Sequence, residues 1–212
     1  MGLKGIRIGW GFTGSHCTIP ALWPVLSEIV TTGAEVFPIL SPAVLTTDTR
    51  FGRAAEIGTR LRELCGHEPW TDLVSVEPIG SQRLLDVMVV APCTGNTLAK
   101  LAHGISDTTV TFACKAHLRN QRPVVLAIST NDGLSGNVTN LATLLRRKHY
   151  YFVPFGQDDP ENKPNSLIAK MELLPATIEA ALAGRQLQPV LTGFPPGKGR
   201  DGEQNAGKMK ED

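Results

Sequence analysis

Short apolar segments alternate with amphipathic segments along most of the chain. The apolar segments have strand length and lie at 5–10, 34–40, 85–91, 123–128 and 150–155. The segments between them have helical spacing at about 15–32, 53–65, 95–103, 110–120 and 137–148. A closing helix is predicted over 166–184, with a kink at Pro175. This alternation predicts an α/β fold with a mostly parallel sheet.

The pattern ends near residue 192, which bounds a single predicted domain, 1–192. The remaining segment, 193–212, reads GFPPGKGRDGEQNAGKMKED and is rich in glycine, proline and charge. Such a composition buries too little apolar surface to form a core, so we expect a flexible C-terminal tail.

Composition narrows the class of partner. The 212 residues are 42% apolar and 19% charged, with a net charge of +1, which gives no electrostatic reason to expect nucleic acid or an anionic membrane as partner. No apolar stretch is long enough to span a bilayer and the N-terminus lacks a signal-peptide layout, so we expect a cytoplasmic protein. The four cysteines are widely spaced, which predicts buried, reduced thiols and no metal site.

The segment KGIRIGWGFTGSHC (4–17) contains the glycine pattern of a dinucleotide-binding turn, at Gly9, Gly11 and Gly14. A strand before it, a predicted helix after it and the hydroxyl of Ser15 favour a phosphate, although such glycines also serve turns without a ligand. NAD also requires an acid at the end of the second strand, and Ser41 stands there instead. A mononucleotide such as FMN has no such requirement.

Two further loops follow predicted strands, at 91–107 and 128–140. Both are rich in small residues, hydroxyls and amides, and this chemistry suits a neutral heteroaromatic ring bound at the carboxyl edge of the sheet. Ordinary turn chemistry and helix capping by Thr94 or Ser135 explain some of these residues as well.

The loop PCTGNT (92–97) and the turn TGS (13–15) resemble motifs of the homo-oligomeric flavoprotein family that includes flavin prenyltransferases and cysteine decarboxylases. The resemblance implies a Rossmann-like three-layer fold, FMN as cofactor and a homotrimer or homododecamer. It further implies that Gly14 and Ser15 hold the FMN phosphate and that Ser41 closes that pocket. It places Thr94, Asn96 and Thr97 along the isoalloxazine ring or ribityl chain, and it places Ser129 in contact with the flavin from the loop after the fourth strand.

The segments 49–52, 122–132, 152–160 and 163–182 resemble one branch of this family in particular. Its members are flavoproteins that act with a nicotinamide-dependent partner chain during endospore formation, in the mother cell. The resemblance therefore implies oxidation of a dihydropyridine dicarboxylate to pyridine-2,6-dicarboxylate. A non-catalytic scaffold chain is the alternative within the same branch.

The sequence departs from the other branches after the fourth predicted strand, where it reads STNDGLS (129–135). The prenyltransferases carry an Arg-Glu pair there, and the decarboxylases a Pro-x-Met-Asn motif that only Asn131 matches. Both activities are therefore less favoured alternatives.

A dicarboxylate substrate requires cations. Arg50 is the first candidate, followed by Arg53 and Lys163, and each is equally compatible with a solvated surface cation. If a general base is used, His16 and Asp132 are the candidates, although a structural or phosphate-side role for His16 is favoured.

Overall fold

The computed structural model describes residues 2–193. The strands are β1 (Arg7–Phe12), β2 (Glu35–Leu40), β3 (Val87–Cys93), β4 (Val124–Thr130), β5 (Tyr150–Phe152), β6 (Phe155–Gly156) and β7 (Leu167–Ala169). The helices are α1 (Ile19–Thr31), α2 (Pro42–Thr46), α3 (Ala54–Cys65), α4 (Leu73–Val76), α5 (Pro78–Ser81), α6 (Gly95–His103), α7 (Thr109–Leu118), α8 (Val138–Leu145) and α9 (Leu174–Leu182). In the described part of the chain, two short 3-10 turns cover His16–Thr18 and Met171–Leu173.

Within residues 2–193 the sheet has seven strands in the order β2-β1-β3-β4-β7-β6, and β5 also pairs with β4. Strands β1 to β5 are mutually parallel, as predicted, whereas β7 is antiparallel to both β4 and β6. Every residue of β3 is buried. Because side chains alternate between the two faces of a strand, helices must cover both faces of the sheet here. The α/β prediction and its Rossmann-like form are confirmed.

The glycines of the first strand serve packing. Gly9 and Gly11 lie inside β1, before the turn. A Cβ atom on Gly9 would overlap Leu85, and one on Gly11 would lie 2.7 Å from Val110 Cγ1. Two of the three glycines in the pattern therefore allow neighbouring side chains to approach β1, and they lie in the strand, not in the turn that follows it.

The closing helix is shorter than predicted, because it begins at Leu174 and Pro175 lies in its first turn. Residues 167–169 form β7 instead, with the buried, half-buried, buried alternation of a strand. The predicted strand 150–155 is divided between β5 and β6. The local apolar pattern of this segment fits both the periodicity of a helix and that of a strand. Backbone groups at the end of β4 pair with β7, and this tertiary pairing selects the strand.

Among residues 2–193, no helix is both long enough and apolar enough to cross a membrane. The predicted tail lies outside the described residues, apart from Gly193.

Candidate functional site

A cavity of about 680 Å³ opens at the carboxyl ends of β1, β3 and β4. This edge of a parallel sheet is where open α/β folds bind their ligands. Eight of the candidate binding and catalytic residues that the sequence suggested line the cavity: Gly14, Ser15, His16, Thr94, Asn96, Ser129, Asp132 and Lys163. The three loops therefore meet at one place, as expected.

The loop after β1 is joined to the loop after β3 through Thr13. Its buried hydroxyl donates to the carbonyl of Pro92 at 2.6 Å and accepts from the amide of Thr94 at 3.0 Å. The indole of Trp10 also donates to the carbonyl of Ala91, at 2.9 Å. These buried bonds fix the two loops relative to each other.

Three hydroxyls form a triangle on the cavity wall. Ser15 Oγ lies 2.7 Å from Ser129 Oγ and 3.2 Å from Thr18 Oγ1, and Thr18 Oγ1 lies 2.7 Å from Ser129 Oγ. The helix that the sequence predicts from about residue 15 begins at Ile19, and Ser15 is the N-cap residue of the 3-10 turn His16–Thr18, with no side-chain capping bond among the described residues. The Ser15 hydroxyl instead forms a hydrogen bond with Ser129 of β4. Because a hydroxyl hydrogen can rotate, hydroxyls that hydrogen-bond to one another can reorient to donate to a bound acceptor.

His16 and Cys17 follow Ser15 in the same wall. His16 Nδ1 is buried and makes no hydrogen bond among the described residues. The Cys17 thiol is exposed and lines the cavity, which corrects the expectation of four buried cysteines. Cys93 and Cys114 are buried, and burial raises the pKa of the Cys93 thiol to about 12.

The loop after β3 ends in a capped helix. Thr94 accepts a hydrogen bond from the amide of Thr97 at 3.3 Å, which caps α6. Asn96 is exposed and lines the cavity, whereas Thr97 is buried and does not line it. Thr97 instead supports Thr94, whose hydroxyl donates to Thr97 Oγ1 at 3.1 Å.

The loop after β4 centres on the carboxylate of Asp132. It accepts hydrogen bonds from Thr130 Oγ1 and, at 2.8 Å, from Asn137 Nδ2. Gly95 packs against this cluster, since a Cβ atom there would lie 2.6 Å from Thr130 Oγ1 and 2.7 Å from Asp132 Oδ1. Each oxygen of Asp132 thus accepts one hydrogen bond from within the chain.

Ser41 and Arg50 do not line the cavity. Ser41 is the N-cap residue of α2, and its buried Oγ makes no hydrogen bond among the described residues. Gly14, which lines the cavity, lies next to α2, because a Cβ atom on Gly14 would lie 3.2 Å from Ala43 Cβ. Arg50 is exposed, with its guanidinium 4.8 Å from the ring centroid of Phe51.

Sequence reasoning missed part of the wall. Phe51 and Thr18 line the cavity, and so do Asp158, Ser166 and Ile168 from the segment around β6 and β7. The last two lie in or beside a strand that was predicted as helix, so no signal placed them at the sheet edge. Lys163 was suggested and does line the cavity, whereas Arg53 occupies the N-cap position of α3 and does not line it.

Asp158 and Lys163 form an ion pair in this wall, with Lys163 Nζ 3.2 Å from Asp158 Oδ2. Burial raises the pKa of Asp158, but hydrogen bonds from Lys163 and Ser166 outweigh it, so the pKa lies below its usual value. Within residues 2–193 no group of three or more His, Cys, Asp or Glu side chains is placed to hold a metal ion.

The family model described as Flavoprotein matches residues 2–165. The chain belongs to the flavoprotein family. This confirms the resemblance inferred from residues 13–15 and 92–97, and it makes a flavin the expected occupant of the cavity.

This flavoprotein is 53% identical over 189 residues to the B subunit of dipicolinate synthase from Bacillus subtilis (strain 168), covering 89% of this chain and 94% of the relative. The crystal structure of the B subunit of dipicolinate synthase from Bacillus halodurans superimposes with a TM-score of 0.84. It is 46% identical, and the match covers 91% of this chain and 99% of the other.

An FMN-dependent cysteine decarboxylase, SpaF, shares the fold with a TM-score of 0.61 at 24% identity, over 85% of this chain and 97% of the other. At that identity the likeness concerns the fold alone.

The residues of the site fit a flavin. Ser41 Oγ is buried without a hydrogen-bond partner among the described residues, and Gly14 lies close to α2. The hydroxyls and amides of the other loops suit the edge atoms of a flavin ring.

Proposed function

We propose that this chain is the FMN-binding subunit of a dipicolinate synthase. In this proposal it oxidises a dihydrodipicolinate-type intermediate to pyridine-2,6-dicarboxylate. The identity of 53% over nearly the whole of the B subunit of a dipicolinate synthase supports the assignment, as does membership of the flavoprotein family.

The observation that carries the proposal is the composition of the cavity. Its wall combines hydroxyls, amides and glycine at the carboxyl edge of the sheet, in a volume of about 680 Å³. That volume is within the usual range for a small-molecule or cofactor site. A flavin ring needs donors and acceptors for its edge and unobstructed space for its face, and this wall offers both.

Gly14, Ser15 and Ser41 would hold the phosphate of FMN. Thr94, Asn96 and Ser129 would lie along the isoalloxazine ring or ribityl chain, and Thr97 would act through Thr94. When bound, FMN supplies a two-electron acceptor for the dihydropyridine ring. The protein residues orient the ring and exclude water from it.

The partner in this proposal is the A subunit of dipicolinate synthase, a nicotinamide-dependent chain, because the relative's name denotes one subunit of a larger enzyme. A homotrimer or homododecamer, a role in endospore formation and a place in the mother-cell cytoplasm belong to the same proposal.

The test is anaerobic stopped-flow absorbance of the FMN-loaded protein, mixed with freshly prepared dihydrodipicolinate with and without the A subunit. We expect the flavin band at about 450 nm to bleach. Gly14→Asp places a carboxylate in the phosphate turn and should abolish FMN uptake, whereas the exposed Ser27→Ala in α1 should not. A wild-type protein that takes up no FMN would overturn the proposal.

The alternatives give different results in the same preparation. A decarboxylase would turn over a phosphopantothenoylcysteine-like thiol, and a prenyltransferase a prenyl phosphate, without substrate-dependent bleaching. A scaffold chain would leave the A subunit fully active even when this chain carries Gly14→Asp.

A further inference from the structure

Lys163 is the one lysine or arginine among the described residues that line the cavity. Asp132 and Asp158 line it as well. A dianionic substrate therefore meets one cation and two carboxylates in the wall that this chain provides. Its binding depends on how these three charges are arranged.

The backbone around Lys163 is held in place. The amide of Lys163 donates to the carbonyl of Asp159 at 2.7 Å, and its carbonyl accepts from the amide of Ser166 at 3.0 Å. Ser166 Oγ in turn donates to the carbonyl of Thr130, at the end of β4. The loop between β6 and β7 is thus anchored to the strand whose end forms the cavity.

The side chain of Lys163, by contrast, is 56% exposed, and its Nζ donates to Asp158 Oδ2 at 3.2 Å. Because exposed ion pairs contribute little to stability, exchanging one carboxylate partner for another costs little. Lys163 therefore has a fixed backbone and a carboxylate partner, Asp158, that a ligand carboxylate can replace when it binds.

We propose that Lys163 leaves Asp158 to bind a carboxylate of the substrate, and that this exchange gives the cavity its preference for a ring that carries carboxylates. The inference rests on the proposed function, since it assigns the cation for the same dicarboxylate. The second carboxylate is bound by neutral donors of the wall, among which Asn131 exposes an amide.

The test measures binding to the FMN-loaded protein by calorimetry, with pyridine-2,6-dicarboxylate and the uncharged pyridine-2,6-dicarboxamide as probes. Lys163→Gln should weaken diacid binding by about tenfold or more and leave dicarboxamide binding unchanged, because it removes a charge-assisted hydrogen bond. Lys163→Arg should restore diacid binding. The exposed Lys148→Gln, which does not line the cavity, is the matched control.

Asp158→Asn tests the exchange itself. It removes the competing carboxylate, so the diacid should bind more tightly than to the wild type, and the gain should fall as salt is added. Weaker binding by this variant would contradict the exchange.

The outcomes separate this inference from the function on which it rests. If Lys163→Gln and wild type bind the diacid equally well, the inference is wrong and the oxidoreductase proposal stands. If Lys163→Gln loses FMN as well as the diacid, Lys163 serves the fold of the cavity and the inference is also wrong. If the FMN-loaded wild type neither binds the diacid nor is bleached by dihydrodipicolinate, the proposed function itself fails.

Discussion

The hydroxyl oxygens of Ser15 and Ser129 lie 2.7 Å apart, although 114 residues separate them in the chain. Ser15 follows β1 and Ser129 lies near the end of β4, so this bond spans the β3 strand that lies between them. It brings the residue proposed to hold the phosphate of FMN next to a residue proposed to contact the rest of the flavin. The two assignments therefore describe a single patch of the wall.

Ser129→Ala should weaken FMN binding by about two- to tenfold, the effect of one neutral hydrogen bond. Stability should change little, because Ser15 and Thr18 still bond to each other, at 3.2 Å. Flavin fluorescence titration and thermal unfolding measure the two effects, with Ser27→Ala as control. Full FMN affinity in Ser129→Ala would show that the hydroxyl triangle only joins β1 to β4.

Alanine substitutions at Gly9 in β1 and at Gly58 in α3 should have opposite effects on the free energy of unfolding. Gly9→Ala should lower the free energy of unfolding by about 1–3 kcal/mol, because the new methyl overlaps Leu85 and would lie 3.0 Å from Met88 Sδ. Gly58→Ala should raise it by about 0.5–1 kcal/mol, since Gly58 lies inside α3 with nothing within 4 Å of an added Cβ atom. Urea denaturation measures both. A stable Gly9→Ala that fails to bind FMN would instead place this glycine at the ligand.

The four long parallel strands could be predicted to within about two residues, because continuous apolar runs of that length fit buried strands. The small residues, hydroxyls and amides in the loops at their carboxyl ends could also be identified from the sequence, once the strand ends were predicted. The segment around Lys163 could not be placed, because the three residues of β7 carry too little periodicity to reveal a strand. Side-chain contacts such as Ser15 with Ser129 depend on register and rotamer, which local sequence does not determine.

His117 makes the stability of the protein pH-dependent. Burial lowers the pKa of His117 to about 4, and its Nδ1 has no hydrogen-bond partner among the described residues. The unfolded chain takes up a proton below about pH 6.5 that the folded protein does not accept, so acid favours unfolding. Stability should fall between about pH 6.5 and about pH 4, by up to about 1.4 kcal/mol per pH unit from this residue.

Urea unfolding at stepped pH values tests this. His117→Gln should remove that part of the slope, and the exposed His103→Gln should retain it. An unchanged slope in His117→Gln would assign the acid sensitivity to other groups.

Asp132→Asn separates a structural role of Asp132 from a catalytic one. The amide can accept from Asn137 and donate to Thr130, so stability should fall by no more than about 1.5 kcal/mol. Because each oxygen of Asp132 already accepts a hydrogen bond within the chain, we expect a structural role, so the rate of flavin bleaching by dihydrodipicolinate should stay within about threefold of wild type. A loss of about a hundredfold or more, with the fold intact, would instead identify Asp132 as a general base.

Ser41→Ala gives the sharpest test of the phosphate position. The buried Ser41 Oγ has no partner among the described residues, so removing it sacrifices no hydrogen bond in the FMN-free protein. The free energy of unfolding without FMN should therefore stay the same or rise slightly. If the hydroxyl donates to the phosphate, FMN should bind about 10- to 100-fold more weakly, as for other hydrogen bonds to charged groups.

Riboflavin, which lacks the phosphate, provides the internal control, because its affinity should be the same for wild type and Ser41→Ala. Flavin fluorescence titrations with both ligands, together with urea unfolding of the FMN-free proteins, complete the comparison. A variant that loses stability without FMN and keeps its FMN affinity would mean that the Ser41 hydroxyl supports α2, and that the phosphate lies elsewhere along the turn.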